Sequence, residues 1–458
     1  MTSGVAPFGL VHLEDAIIAV ATPTGRGALA LVRLSGPGAF AIARNHVQPW
    51  PSEPRVVQLC TVHNVDEILD QALVVLFPAP NSFTGDDTVE FSTHGGYLVP
   101  GSIVAALISS GARQALPGEF TRRAVLNGKL DILQAEAIGD LIDARSQAMQ
   151  RTALGQLDGG LSRRLLRLRD DLVDLEALIA YDIDFPEEDD GPISRERVEI
   201  AVAAIIASLK TLLATAPIGE LIREGAVIVI AGPPNAGKSS LFNSLLGKSR
   251  AIVTETPGTT RDALEAVIDS GKWPLRLVDT AGLRDTNDPI ERLGIEVSER
   301  YLADADIVLA CAENLAGLEQ AKGVIARNSF APILSVRTKA DLVSSCDEAN
   351  GSHVVAVSAE TGAGVQELLD AINNMLATQH GEIAPDLPML TRARHRQALS
   401  VAYTEIEEFD QAWREKRLPA PVASVHLRTA VYTLEELIGS VDVEDVLDRV
   451  FSSFCVGK

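Results

Sequence analysis

The spacing of apolar residues changes three times along the chain, and each change marks a different kind of structure. Residues 1–128 carry short apolar runs separated by turn residues: "AIIAVATPTGRGALALVRLSG" holds two runs joined by a Thr-Pro-Thr-Gly-Arg-Gly loop, and "QALVVLFPAP" and "DTVEFSTHGG" follow. Runs of this kind predict strands, here in an α+β domain. From 129 to 222 the period lengthens: Leu161, Leu165, Leu168, Leu172, Leu175 and Ile179 recur at alternating steps of four and three, the seam of a packed helix. The acidic stretch "DFPEEDDGP" (184–192) ends that helix and reads as a solvated loop.

Over 223–378 the pattern alternates. Apolar runs at "AVIVIAG", "LRLVDTAG", "DADIVLACAE", "APILSVRTKAD" and "HVVAVSAE" are separated by helical stretches, as in a wound α/β domain. After "GEIAPDLP" the chain turns helical again over 379–458, with "LRTAVYTLEELIGS" and "VEDVLDRVFSSF". Helical segments therefore flank the α/β unit on both sides. The architecture they predict is multidomain, an α/β nucleotide-binding domain inserted into a helical domain and preceded by an α+β domain.

Composition narrows this picture. The chain of 458 residues is too long for one core, and 46% apolar residues supply enough for several. Four cysteines, Cys60, Cys311, Cys346 and Cys455, form no CxxC pair and no zinc-spaced cluster, which points to a reducing compartment. The start "MTSGVAPFGLVHLEDAIIAV" lacks the basic opening and continuous apolar core of a signal peptide, and no apolar run reaches the length of a membrane span, so a cytoplasmic protein without membrane contact is expected. A formal net charge of −22 repels phosphates and argues against non-specific nucleic-acid binding. Work on RNA then calls for local basic patches or a basic partner.

The chemistry concentrates in "GPPNAGKS", Gly232 to Ser239, set between the strand 226–231 and the helical "SLFNSLLG". This is G-x-x-x-x-G-K-S in strand-loop-helix context, a phosphate loop. Backbone N–H groups of Asn235, Ala236, Gly237, Lys238, Ser239 and Ser240, at the loop and helix N-terminus, suit phosphates; Lys238 reaches the β- and γ-phosphates, and Ser239 ligates Mg²⁺. Asp279 and Gly282 of "DTAG" fit the Mg²⁺-linked aspartate and the γ-phosphate-sensing glycine. "TKAD", with Thr338, Lys339 and Asp341, follows the strand 332–337 as a guanine-reading N-K-x-D element does. Asp341 can accept from guanine N1 and N2, which selects GTP over ATP. Thr338 stands where asparagine is usual, and one hydroxyl cannot replace both halves of an amide, so an anchor of either the base or the loop is weakened. "SAE", with Ser358 and Ala359, matches the last guanine-contacting element. Thr260, in "TETPGTTRD", is the natural switch threonine for Mg²⁺, and the hydroxyls around it suit a hard monovalent cation. Leu283, after "DTAG", occupies the place of the glutamine that positions water in Ras-like GTPases.

Together "GPPNAGKS", "TETPGTTRDALE", "DTAGLRDTNDPIERLGI" and the terminal "FCVGK" resemble the MnmE (TrmE) family of tRNA modification GTPases. The resemblance continues through "ATPTGRGALALVRLSG", "NSFTGDDTVEFSTHGG" and "LPGEFTRRAVLNGKLDILQAEAIGDLI", covering nearly the whole chain. It implies a GTPase activated by K⁺ and by pairing of its GTPase domains, without glutamine or arginine finger. By the family's motif Asn235, Thr254, Thr256 and Thr259 hold K⁺, Glu291 orients the attacking water and Arg284 helps to place the switch.

The N-terminal region resembles the family's tetrahydrofolate domain, binding the 5,10-methylene or 5-formyl form. The resemblance implies that Arg33, Glu90 and Lys129 contact folate and that Lys458 closes the site. Carboxylates and cations suit a pterin edge and a glutamate tail. Cys455, in the C-x-G-K tail, is a candidate for direct chemistry, and Gly457 lets the tail turn closely. The family further implies a homodimer through the N-terminal domains and a heterotetramer with an MnmG (GidA)-like flavoprotein carrying FAD. The implied reaction adds an aminomethyl or carboxymethylaminomethyl group to C5 of the tRNA wobble uridine. Two other readings stay open at this stage: an RNA-binding or ribosome-binding GTPase switch without modification chemistry, and a folate-dependent one-carbon transferase regulated by GTP.

Overall fold

The computed structural model describes residues 14–65, 67–184, 195–248, 264–279, 300–342, 354–381, 388–415, 420–439, 454 and 457. The chain divides into two compact units, one built from residues 1–139 with 435–458 and the other from 140–434.

In the first unit the period-two runs become strands. β1 (Ile17–Val20), β2 (Leu29–Ser35), β3 (Val47–Gln48), β4 (Gln58–Asn64), β5 (Glu67–Phe77), β6 (Thr88–His94) and β7 (Arg113–Gln114) form one sheet in the order β3-β4-β5-β6-β2-β1-β7. Within it β2 pairs antiparallel with β1 and β6. Helices α1 (Ala39–Arg44), α2 (Val99–Ser109), α3 (Glu119–Leu126) and α4 (Ile132–Ile142) complete the α+β order. Alternate strand residues, Val32, Leu34, Val62, Val74, Val89 and Phe91, are buried with Ile103 and Leu107 of α2. The intervening positions form the other face, where Leu59, Ile68 and Leu73 are exposed. The second face is open over β4 and β5 and covered at β1, where Ile17 and Ala19 are buried with Phe120, in a sheet that is antiparallel except for β7 beside β1.

An ionic knot around buried Arg123 and Glu119 ties Asp15, just before β1, to α3. Arg123 is wholly buried and donates to the Asp15 carbonyl at 2.7 Å and to Glu119 Oε1 at 3.0 Å. Arg113 donates through Nε to Asp15 at 2.6 Å and through Nη1 to Glu119 Oε2 at 3.1 Å. These cations hold the Asp15 carboxyl below the ordinary carboxylate value even though burial pushes it the other way.

In the second unit the long-period stretches become helices: α5 (Gln147–Leu157), α6 (Gly160–Asp184), α7 (Arg195–Leu213) and α8 (Ala216–Glu224). All six residues of the predicted seam on α6, from Leu161 to Ile179, are buried at 2% exposure or less. The apolar runs of the sequence predict no membrane span. By length and composition alone, an 18-residue window within Glu196–Glu224, with mean hydropathy 1.8, would pass as a membrane span. The stretch is in fact two helices, α7 and α8, interrupted at residues 214–215 ahead of Pro217. Val198, Val202, Ile205, Leu209 and Leu212 of α7 are buried, and α7 packs on α6 and on the later helix Ala393–Glu415.

The alternating region is a wound sheet. β8 (Ala226–Ala231), α9 (Lys238–Lys248), β9 (Leu264–Asp269), β10 (Pro274–Asp279), β11 (Ile307–Ala312), α10 (Leu315–Asn328), β12 (Ile333–Arg337), β13 (Val354–Ala356) and α11 (Val365–His380) follow in sequence. The sheet order is β13-β12-β11-β8-β10-β9, parallel except for β9 against β10. Every residue of β8 and β11 is buried, which is why these strands read as unbroken apolar runs rather than alternating ones.

The chain then returns to helix in α12 (Ala393–Glu415) and α13 (Ala420–Ile438). The segments flanking the wound sheet meet. Asp140 Oδ1 accepts from Arg223 Nε at 3.1 Å and from Arg392 Nη2 at 2.7 Å, while Gln156 Nε2 donates to the Met389 carbonyl at 3.1 Å. Leu390 N–H donates to Thr215 Oγ1 at 3.1 Å. Exit and re-entry of the chain are thus tied together, as an inserted domain requires.

Candidate functional site

The phosphate loop leaves the buried end of β8 and enters α9 at Lys238. A Cβ at Gly232 would lie 2.2 Å from the Cys311 carbonyl at the end of β11, so the loop departs at the only residue type that permits this approach. Asn235 takes a left-handed φ of 62°, a conformation asparagine tolerates better than most residues. Lys238 is buried, and its ammonium donates to the carbonyls of Gly232 at 2.8 Å and Pro233 at 2.9 Å. Burial pushes the Lys238 pKa below the ordinary lysine value, and the charge of Asp279 opposes that shift. Ser239 and Ser240 follow in the first turn of α9, whose N-terminal backbone donors suit an anion.

Asp279 ends β10 and is buried. The parallel register pairs it with Ile230, two residues before the loop begins, so the carboxylate and the phosphate loop emerge at the same edge of the sheet. The candidate base-reading elements emerge there as well. Thr338 follows β12 and donates from Oγ1 to the Ala236 carbonyl at 2.7 Å, while its N–H donates to the Ala312 carbonyl at 2.9 Å. Lys339 has a left-handed φ of 54° and pairs with Glu313. Asp341 lies exposed in a short turn over Ala340–Leu342. The 358–363 loop is held by bonds from Ser358 N–H to Ala363, from Gly362 N–H to Ser358 and from Thr361 N–H to Ser358 Oγ, none of which uses the N–H of Ala359.

In the other unit Arg33 on β2 and Glu90 on β6 are direct cross-strand partners. Arg33 Nε donates to Glu90 Oε1 at 2.8 Å, and Nη2 reaches the same oxygen at 2.7 Å. Their side chains keep 17% and 23% of their exposure. The guanidinium carbon sits 5.3 Å from the Phe83 ring centre and 5.6 Å from that of Phe120, which fixes the pair by cation–π contact. Lys129 donates to the Pro80 carbonyl at 3.1 Å, on the same connection that carries Phe83. Gly457 has φ 99°, and a Cβ there would lie 2.5 Å from the Val20 carbonyl, on the strand next to Arg33's own.

Comparison with known proteins agrees over both units. Residues 16–129 match the family model for the GTP-binding protein TrmE N-terminus, and residues 132–455 match the one for the MnmE helical domain. The chain is 41% identical to the tRNA modification GTPase MnmE of Heliobacterium modesticaldum over 466 aligned positions, covering 97% of this chain and 99% of that one. The proteins of the same description from Methylobacterium radiotolerans and Aquifex aeolicus are 42% and 37% identical, each over 97% of this chain and at least 99% of theirs. The chain belongs to the MnmE family of tRNA modification GTPases.

For this MnmE family member the sequence residues divide into two sets. Asn235 to Ser240, Asp279, Thr338, Lys339, Asp341, Ser358 and Ala359 come together at one sheet edge, and Arg33 meets Glu90. Thr254, Thr256, Thr259, Thr260, Gly282, Arg284, Glu291, Cys455 and Lys458 lie outside the described residues. Sequence reasoning missed Phe83 and Phe120, although both fall inside stretches quoted for the MnmE resemblance, because a ring matters here only through the guanidinium it faces. It also missed the Ala236 carbonyl, since a backbone acceptor carries no sequence signal.

Proposed function

We propose that this GTPase couples K⁺-dependent GTP hydrolysis to one-carbon chemistry on tRNA. The observation that carries the nucleotide half is the convergence of Lys238, Asp279 and Thr338 at the carboxyl ends of β8, β10 and β12 in one parallel sheet. Ligands of open α/β sheets bind at that edge. Lys238 neutralises charge on the β- and γ-phosphates, the N-terminus of α9 orients them, and Asp341 selects guanine. Ser239 and Thr260 would hold Mg²⁺, and Asn235, Thr254, Thr256 and Thr259 would hold K⁺. A cation there supplies the positive charge that an arginine finger brings in other GTPases. Glu291 then orients water, Arg284 places the switch, and Leu283 is not needed for that task.

The Arg33–Glu90 pair supports the folate half. Glu90 Oε1 is taken by Arg33, while Oε2 takes no bond among the described residues and stays available to the donor edge of a pterin. Residues 435–458 belong to the same compact unit, which supports a role for the C-terminal tail with Cys455 and Lys458 at that site. The domain bounds that go with this reading are 1–128 for the folate and dimerisation domain, 223–378 for the GTPase domain, and 129–222 with 379–458 for the helical domain. A second copy joins through the N-terminal domains, and a flavoprotein resembling MnmG carries the FAD that supplies the redox step. The product is C5-aminomethyl or carboxymethylaminomethyl uridine at the tRNA wobble position, in the cytoplasm.

The experiment is steady-state GTP hydrolysis in KCl against NaCl at equal ionic strength, with ATP as the control nucleotide. Strong stimulation by K⁺ with GTP preferred is the expected result. Equal slow rates in both salts overturn the cation mechanism.

A further inference from the structure

Thr338 departs from the usual N-K-x-D element, and the geometry resolves which half of the missing amide it replaces. Its hydroxyl has one hydrogen, and that hydrogen goes to the Ala236 carbonyl at 2.7 Å. Both residues are buried, and the Cβ position at Gly237 lies 3.5 Å from Thr338 Cβ, so the side chain is packed against the phosphate loop. The remaining lone pairs of Oγ1 can only accept, and N7 of guanine is itself an acceptor. An asparagine amide has two hydrogens and could serve both partners.

Among the described residues, three neighbouring N–H groups are already engaged. The Thr338 N–H is bonded to the Ala312 carbonyl, the Ala340 N–H to the Val357 carbonyl and the Leu342 N–H to the Lys339 carbonyl. The Lys339 ammonium pairs with Glu313. Among the described residues, groups open to a base include the exposed Asp341 carboxylate, which suits guanine N1–H and the 2-amino group, and the Ala359 N–H, which suits O6. A purine read by Asp341 on its pyrimidine edge turns its imidazole ring, through which the ribose and phosphates attach, back toward the phosphate loop and residue 338.

We propose that Thr338 is a positioning residue for the phosphate loop and that this chain reads guanine by its pyrimidine edge alone, leaving N7 without a side-chain donor. The proposal deepens the guanine reading given above and rests on it. It follows that the protein is blind to replacement of N7 by carbon and keeps its sensitivity to loss of the 2-amino group.

The test displaces mant-GDP from the full-length protein with GDP, 7-deaza-GDP, IDP and ADP. GDP and 7-deaza-GDP are expected to bind within about twofold of each other, and IDP about tenfold or more weaker, the scale of one hydrogen bond to a charged group. Thr338→Asn is expected to tighten GDP about two- to tenfold and to leave 7-deaza-GDP unchanged, a discrimination that a purely structural role does not create. Thr338→Val, which keeps the shape and strands the Ala236 carbonyl, should weaken GDP and 7-deaza-GDP by one common factor of about five or more. The proposal is overturned if 7-deaza-GDP binds the unmodified protein fivefold or more weaker than GDP, if Thr338→Asn tightens both alike, or if Thr338→Val leaves both affinities unchanged. Failure of the guanine reading itself looks different: ADP then competes as well as GDP, or no guanine nucleotide displaces the probe.

Discussion

The two candidate sites are built in opposite ways. At the nucleotide site the functional groups sit on loops beyond the ends of strands, and the strands beneath are buried on both faces. At the proposed folate site they sit within strands, on the less buried face of an antiparallel sheet, with Arg33 beside Glu90 through register alone. The first design gives loop groups a rigid floor and freedom to change state. The second gives a fixed pair whose spacing is that of neighbouring strands. A switch belongs on the first and a constant cofactor platform on the second.

Three substitutions sharpen this contrast. The largest effect is expected from Lys238→Ala, which removes the buried ammonium and should lower GTP hydrolysis about 10²- to 10³-fold. Folate binding by equilibrium dialysis should not change; if it falls in parallel, the two sites are not separate devices. Next is Arg33→Ala, expected to weaken tetrahydrofolate binding about ten- to hundredfold, the scale of ~1.5–3 kcal/mol for a charge-assisted hydrogen bond, with the GTPase rate in KCl unchanged. Unaltered folate affinity there would remove the pair from the site. The smallest effect belongs to Gly457→Ala. Its new Cβ meets the Val20 carbonyl at 2.5 Å at a left-handed φ, which should loosen the tail by about 1 kcal/mol and weaken folate a few-fold. A titration indistinguishable from the unmodified protein would mean that the tail does not hold the folate.

The same contrast explains what the sequence discloses. Loop sites are contiguous in sequence: "GPPNAGKS" and "TKAD" each carry their own spacing, and β8 and β12 fall within one residue of where the apolar runs predict them. The α6 seam is legible for the same reason, since every fourth or third residue faces one side. Arg33 and Glu90 are 57 residues apart, and only the register of β2 against β6 makes them a pair. Composition alone also misses that Glu196–Glu224 breaks in two, because the break lies in backbone geometry at 214–215 while the apolar content continues. Thr338 marks the boundary of what a motif reveals. Its identity shows that something is lost, and only its bond to Ala236 shows which contact is kept.

In the proposed function the two sites are coupled. The most direct measurement is transfer of radiolabel from methylene-tetrahydrofolate into tRNA by this protein with the proposed FAD-bearing partner, comparing GTP with a non-hydrolysable analogue in KCl. Label at the wobble uridine that requires both GTP hydrolysis and Arg33 is the expected result. Label that enters equally with the analogue would contradict the coupling and leave a one-carbon transferase with a regulatory GTPase. No label under any condition, with K⁺-stimulated hydrolysis intact, would contradict the folate half and leave a GTPase switch on RNA.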